Sequence, residues 1–427
     1  MKYTIPKGVF DILPQEKLPE DAWRTSDHWQ YVEEKMRQIA HLYGFKEIRT
    51  PIFEHTDLFV RGVGESSDIV SKEMYTFQDR AERFLSLRPE GTAPVMRAFV
   101  EKHLHQMPGA HKYFYIGPMF RYERPQAGRF RQHHQFGAEA VGIGLPEQDV
   151  EMVDLLCELY RQLGLKNLVV NLNSIGDEET RTAYRNALTQ YLQPHFDRLS
   201  ADSKVRFSKN ILRILDSKDP EDQKILSHAP SILTLLSAES KDHFEKVQQL
   251  LNKLNIRYVL NPKLVRGLDY YNKTVFEITS GELGAQNSIG GGGRFDGLLS
   301  LLGGPNLPAV GFATGIERLL QTMAAQRCYF PPPPHPFVFL VSLGEAAKEY
   351  CVDLLFKLRH AGVAAEMDLQ GKKVGQALQL ADQLQAEYSV VIGDEELKSG
   401  QLKLKEMKTR QETTLALKEL APILLEK

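Results

Sequence analysis

The pattern of apolar positions changes character along the chain. Between 27 and 43, Trp29, Val32, Met36, Ile39 and Tyr43 fall on one stripe, which predicts an amphipathic helix stopped at Gly44. Strand-like runs follow close together at 46–50, 74–77, 84–87, 113–117 and 130–141. Strands so close, most without crossover helices between them, predict an antiparallel sheet. The stretch 177–255 is helical and charged, lies between two glycine-rich strand regions, and reads as an inserted helical module. Beyond 336 the type alternates. An apolar run at 337–343 has strand length, and 345–360 carries apolar residues at helical spacing before Gly362. Strands are predicted at 363–367 and 388–392, and a helix at 373–386. Leu402 and Leu404 alternate with Lys403 and Lys405, and a last helix starts near 415. Such alternation predicts a small α/β unit with a largely parallel sheet.

Between the two patterns stand Pro331, Pro332, Pro333 and Pro334, then His335-Pro336. Four successive prolines exclude helix and inner strand and make a stiff spacer. The expected division is a first unit over 1–325, with the inserted module near 177–255, a linker over 326–335, and an α/β unit over 336–427. Hydrophobic residues make up 42% and charged residues 25%, an ordinary globular balance. Net charge is −2, so any nucleic-acid surface must be a local patch, and DNA is not an expected partner. The three cysteines form no C-x-x-C pair, which argues against a zinc ribbon or a disulfide framework. Residues 1–14 lack the apolar core of a signal peptide, and no apolar run reaches membrane-spanning length. The expected location is the cytoplasm.

The richest segment runs Gly117-Pro-Met-Phe-Arg121-Tyr-Glu123-Arg124-Pro-Gln-Ala-Gly128-Arg129-Phe-Arg131-Gln-His-His-Gln135-Phe-Gly-Ala-Glu139. It reads as a hairpin turning at Pro125 and Gly128. On the return strand Arg131, His133, Gln135 and Glu139 share one face by period two. A face so polar calls for a polar ligand, and four arginines between 121 and 131 suit phosphate oxygens. The alternative is a solvated hairpin with surface salt bridges. No G-x-x-x-x-G-K-[ST] loop exists, and Gly290-Gly-Gly-Gly293-Arg294-Phe295-Asp296-Gly297 lacks dinucleotide-binding spacing. That run reads instead as backbone that admits no side chain. A nucleotide site would therefore have to use arginines on an antiparallel sheet. His103, His105 and His111 lack the spacing of H-E-x-x-H, and His133 and His134 point to opposite faces, so no metal site is read.

Phe120-Arg121-x-Glu123 with its loop and return strand resembles motif 2 of class II aminoacyl-tRNA synthetases. Ala309-Val-Gly-Phe-Ala-Thr-Gly315-Ile-Glu317-Arg318 resembles motif 3, and Phe45-Lys-Glu-Ile-Arg-Thr-Pro51 resembles motif 1, all in the family's order. Leu264-Val-Arg266-Gly-Leu-Asp269-Tyr270-Tyr271 resembles a motif peculiar to histidyl-tRNA synthetases, and Arg88-Pro-Glu90-Gly-Thr92, Asn171-x-Asn173-Ser174-Ile175-Gly176 and Leu215-Asp216-Ser217-Lys218 also match.

The resemblance covers essentially the whole chain. It implies an α+β catalytic domain, an antiparallel sheet flanked by helices with an inserted helical module, plus a C-terminal α/β anticodon-binding domain. It also implies a homodimer paired through motif 1, with L-histidine, ATP and tRNA-His as substrates. By the same resemblance Arg266 and Arg121 are catalytic, and Arg121, Glu123, His133 and Arg318 hold ATP. Glu90, Gly91, Thr92, Gln135, Glu139, Tyr270 and Tyr271, with Arg121 and Arg266, hold histidine. Mg2+ is expected with ATP, on phosphates and water. Two departures stand out: His133 replaces a phenylalanine that stacks on adenine, and Phe295 replaces a tyrosine. The rival on the same fold is a synthetase-like regulatory subunit of ATP phosphoribosyltransferase. Such relatives usually lack the last domain and lose the reaction arginines kept here.

Overall fold

The computed structural model describes residues 3–65, 67–109, 111–123, 128–281 and 287–426. Two compact units divide the chain, Met1–Pro331 and Pro332–Lys427. Residues 331–336, with all four consecutive prolines, adopt no regular structure.

An eight-stranded sheet organises the first unit. Its spatial order is Lys46–Glu47, His111–Phe120, Gln132–Val141, Ala309–Gly315, Ser288–Arg294, Asn272–Ser280, Leu168–Ser174 and Tyr258–Leu260. The inner pairs are antiparallel and the pair at each edge is parallel, so of the closely spaced runs 113–117 and 130–141 pair here as expected, while 46–50 pairs parallel. The run at 46–50 pairs only over its first two residues and then leads to Pro51, which has no N–H to donate. The runs near 74 and 84 leave this sheet. With Phe53–His55 they build a separate antiparallel sheet of three strands.

Alternation along the hairpin strands sends side chains to two cores. Phe114, Phe136 and Ala138 join one core beneath the helices Ser26–Leu42, Pro146–Gln162 and Ile316–Ala325. Tyr115 and Met119 face the other, together with Phe99, Ile214, Tyr270, Tyr271 and Phe295. Between 177 and 255 the helices are Glu178–Leu192, Ala201–Lys209, Pro220–Leu226 and Ala238–Lys253. Asp177, Ser200, Asp219 and Ser237 cap them by accepting backbone N–H bonds. The last of these helices sends Phe244, Val247 and Leu251 into the core of the large sheet.

The second unit holds a five-stranded sheet in the order Ala365–Met367, Val338–Leu343, Tyr388–Gly393, Gln401–Glu406 and Glu412–Ala416. The first three strands are parallel and the last two antiparallel. Helices Glu345–His360 and Leu417–Leu425 bury one core with Val338, Leu340, Leu402 and Leu404, and Val374–Gln383 packs Ala377 and Ala381 against Phe339 and Val341. The 412–416 strand escapes the hydrophobic pattern because Leu415 is its one buried residue. Among the described residues no helix is long and apolar enough to cross a membrane.

Candidate active site

The site grows out of the hairpin formed by His111–Phe120 and Gln132–Val141. Phe120 pairs with Gln132 and Tyr115 with Gly137, so His133, Gln135 and Glu139 share a face with Tyr115. Arg131 does not join them. Its guanidinium lies over the Tyr122 ring, 4.1 Å from the centroid. Arg124 and Pro125, at the hairpin tip, lie outside the described residues.

Above this face opens a cavity of about 210 Å³. Arg121, Arg129, Arg266 and Arg318 line it, and so do Glu90, Thr92, Tyr270 and Tyr271. Arg121 Nε donates to the Pro89 carbonyl at 2.9 Å. Arg318 donates to the carbonyls of Gly128 at 3.0 Å and Ser288 at 2.8 Å. Carbonyl acceptors fix a guanidinium without cancelling its charge, which suits both side chains to a phosphate. Burial, then the neighbouring Arg129, pulls the Arg318 pKa down. Arg129 pairs with Glu123 at 3.1 Å, and Arg266 with Glu277 at 2.9 Å. Arg266 Nε is buried with no hydrogen-bond partner among the described residues.

The acidic part is built on the start of helix Thr92–Glu101. Glu90 accepts the N–H groups of Thr92 at 2.7 Å and Ala93 at 2.9 Å. Thr92 Oγ1 donates to Glu139 at 2.7 Å, and the Tyr115 hydroxyl donates to the same oxygen at 3.5 Å. Burial pushes the Glu90 carboxyl up and holds Glu139 well above the usual carboxylate range. Glu139 Oε2 and Gln135 Oε1 are buried without partners among the described residues. The Gln135 oxygen, in the cavity lining, calls for an N–H donor from a ligand, whereas Glu139 stands behind the lining with Oε2 against Gly311. The Tyr270 and Tyr271 rings lie 4.7 Å apart, with Phe295 5.5 Å from the first and 6.4 Å from the second. Gly91 stands beside the cavity without lining it, and a Cβ there would overlap the Tyr115 ring.

His133 lines the cavity, and burial followed by the charge on Arg121 keeps its imidazole neutral, well below the usual histidine pKa. His134 faces the opposite way, as period two requires. Its backbone N–H and its Nδ1 both meet Glu317 at 2.9 Å. The cavity floor is the glycine strand. A Cβ at Gly291 would fall 2.6 Å from the Phe276 carbonyl oxygen and 2.9 Å from Arg266 Nη1, and one at Gly292 would overlap the Gly311 carbonyl. Gly290 to Gly293 therefore leave no room for a side chain, as the composition suggests, whereas a Cβ at Gly297 would meet nothing within 4 Å. Among the described residues no group of three or more His, Cys, Asp or Glu side chains is placed to hold a metal ion.

Sequence reasoning gave no role to Tyr115, Glu317 or Glu277, and took Arg129 only as one of the four hairpin arginines. Tyr115 could be placed only with the hairpin register, which an eleven-residue connection does not set. Glu317 lies inside the motif 3 segment, but its partner His134 is 183 residues away.

Residues 14–319 match the family model for histidyl-tRNA synthetase, and residues 337–427 match the anticodon binding domain model. The chain is 56% identical to a histidine–tRNA ligase of Protochlamydia amoebophila, over 99% of this chain and 100% of that protein. It is 48% identical to the Bacillus subtilis histidine–tRNA ligase, over 98% and 97%. Among solved structures, apo S. aureus histidyl-tRNA synthetase superposes with a TM-score of 0.84 at 36% identity, over 99% of this chain and 100% of that one. An ATP phosphoribosyltransferase regulatory subunit/histidyl-tRNA synthetase from Bacillus halodurans shares the fold at 21% identity and a TM-score of 0.63, over 92% of this chain and 98% of that one.

Proposed function

The chain belongs to the histidyl-tRNA synthetase family, and from that premise we propose how its side chains divide the work. Its reaction is the activation of L-histidine with ATP to histidyl-adenylate and pyrophosphate, followed by transfer to tRNA-His. One observation carries the assignment: a single cavity brings arginines held by carbonyls together with the buried carboxyl of Glu90 and a Gln135 amide oxygen that lacks a donor among the described residues. The cations suit the phosphates of one substrate, and the acidic and hydroxyl groups suit the amino acid.

Arg121 receives the α-phosphate and Arg318 the γ-phosphate. Glu123 and His133 flank the adenine. Arg266 stabilises the charge that builds on the α-phosphate as the histidine carboxylate attacks. Glu90, Thr92 and Gln135 take the amino end of histidine, with Gly91 leaving room for Tyr115. Glu139 and Tyr271, with Tyr270 beside them, bond the imidazole nitrogens. A ring offering a partner to each is thereby separated from other flat rings. Mg2+ enters with ATP on phosphate oxygens and water, and no protein ligand is assigned to it.

The second unit takes the tRNA anticodon, with Lys403, Lys405, Lys408 and Arg410 as its local positive charge. Two copies pair through the 45–51 region beside the exposed Phe53 and Phe77 of the small sheet. The setting is the cytoplasm. Pyrophosphate exchange with each of the twenty amino acids tests the substrate half, and only histidine should support it. A stable, active monomer in sedimentation would defeat the pairing. Deleting residues 335–427 should cut tRNA charging far more than histidine-dependent exchange.

A further inference from the structure

A second cavity, of about 390 Å³, adjoins the first. Residues of the helices Glu178–Leu192 and Ala201–Lys209, the turn after the latter, and the segment 265–271 bound it. That segment is a shared wall, since Arg266, Leu268 and Tyr271 line both cavities. Arg181, Arg185, Lys209 and Arg213 add to the charge of Arg266. Against them the described lining holds one carboxylate, Asp269, which accepts from Asn210 at 3.1 Å. Glu178 takes bonds from Arg181 and Arg185, and Asp68 from Arg213 at 3.0 Å, both from outside the lining. Even so, Arg181 Nε and Arg213 Nη1 are buried with no acceptor among the described residues. Guanidinium N–H groups withdrawn from water need an oxygen, and phosphate presents several.

We propose that this cavity is a phosphate-binding site, separate from the ATP phosphates and reached across the 265–271 wall. The inference rests on the neighbouring cavity being the reaction site. Transfer must bring the 3′ end of a tRNA to the adenylate, so backbone phosphates pass close by. Pyrophosphate leaving the first step offers the same oxyanion chemistry.

The test uses the full chain carrying Arg185→Gln and Lys209→Gln, two side chains outside the reaction cavity. Histidine-dependent pyrophosphate exchange should stay within about twofold of wild type, and melting should be unchanged. If tRNA is the source, the KM for tRNA-His should rise about tenfold, and the salt slope of log kcat/KM should shrink by about 0.7 for each phosphate no longer engaged. Arg185→Lys, which keeps the charge, should recover most of that KM. If free pyrophosphate is the source, 31P titration should show wild type binding inorganic pyrophosphate without ATP and the variant losing that binding, at unchanged tRNA KM. Equal tRNA KM together with equal pyrophosphate binding, exchange being intact, would overturn the site. A wild type that exchanges no pyrophosphate would strike the reaction cavity instead, which keeps the two readings apart.

Discussion

Thr92 Oγ1 donates a 2.7 Å hydrogen bond to Glu139 and so ties the first turn of the 92–101 helix to the middle of the central sheet. Glu90 holds the N–H of the same threonine, so two buried carboxylates share one residue. Neither carboxylate has a cation hydrogen-bonded to it among the described residues.

Replacing Glu139 by Gln keeps the shape and removes the acid. The KM for histidine should rise about tenfold or more in exchange assays, with a smaller change in kcat, because the contact serves ground and transition states alike. The folded-state pKa of Glu139 is raised. Its contribution to stability is therefore full below the ordinary carboxylate pKa and falls away as pH climbs towards the folded value. Melting curves of Glu139→Gln should accordingly lose less stability than wild type between acid and neutral pH.

Arg266→Ala removes a preorganised cation and should slow histidine-dependent exchange by ~10²–10³ while the protein stays folded. The surviving Glu277 would then lose its 2.9 Å partner, so Glu277→Gln on the same background should recover stability but not rate. Near wild-type exchange by Arg266→Ala would remove the residue from the chemistry.

Restoring the family's ring by His133→Phe enlarges the surface facing adenine. The KM for ATP should fall a few-fold, in line with ~0.5–1.5 kcal/mol for an aromatic contact. A rise would mean that the imidazole makes a polar contact a phenyl ring cannot.

Gly292→Ala and Gly297→Ala form a matched pair. The first places a Cβ against the Gly311 carbonyl, and the second meets nothing within 4 Å. Urea unfolding should show Gly292→Ala losing more than ~3 kcal/mol and Gly297→Ala within ~1 kcal/mol of wild type.

Arg294, fully buried, donates Nε to Asp149 at 3.2 Å and Nη1 to the Ile143 carbonyl at 3.1 Å. Burial alone would raise the Asp149 pKa, but the His243 contact and the Arg294 charge outweigh it and hold it low. The pair's stabilisation is thus present above the ordinary aspartate pKa and lost as pH falls through the folded value. Arg294→Met should cost ~3–5 kcal/mol in urea at neutral pH, by stranding a buried carboxylate, and less in acid.

The legible parts of this molecule were those written by local spacing. The 26–42 helix, the polar face of the hairpin, the intolerance of the glycine run and the alternation of the second unit all follow from neighbours in sequence. The site residues themselves were read through motifs, because the contacts that hold them are distant. Arg318 meets Gly128 from 190 residues away and Thr92 meets Glu139 from 47. The small sheet of Phe53–His55, Thr76–Gln78 and Phe84–Leu87 was hidden because short strands do not announce which sheet they join. The second cavity was invisible for a related reason. Its arginines sit on helices whose charge reads as solvated surface until the 265–271 segment closes over them.

The glycine strand also depends on distant parts of the chain. Four successive glycines give Ser288–Arg294 little tendency to extend by itself, and it lies between Asn272–Ser280 and Ala309–Gly315. The outer face of Ala309–Gly315 is in turn held by Gln132–Val141, joining residues as far apart as Val141 and Ala309. The cavity draws its lining from Glu90 to Arg318, so a chain emerging from the ribosome holds the whole of its substrates' binding surface only when nearly all of the first unit has been made.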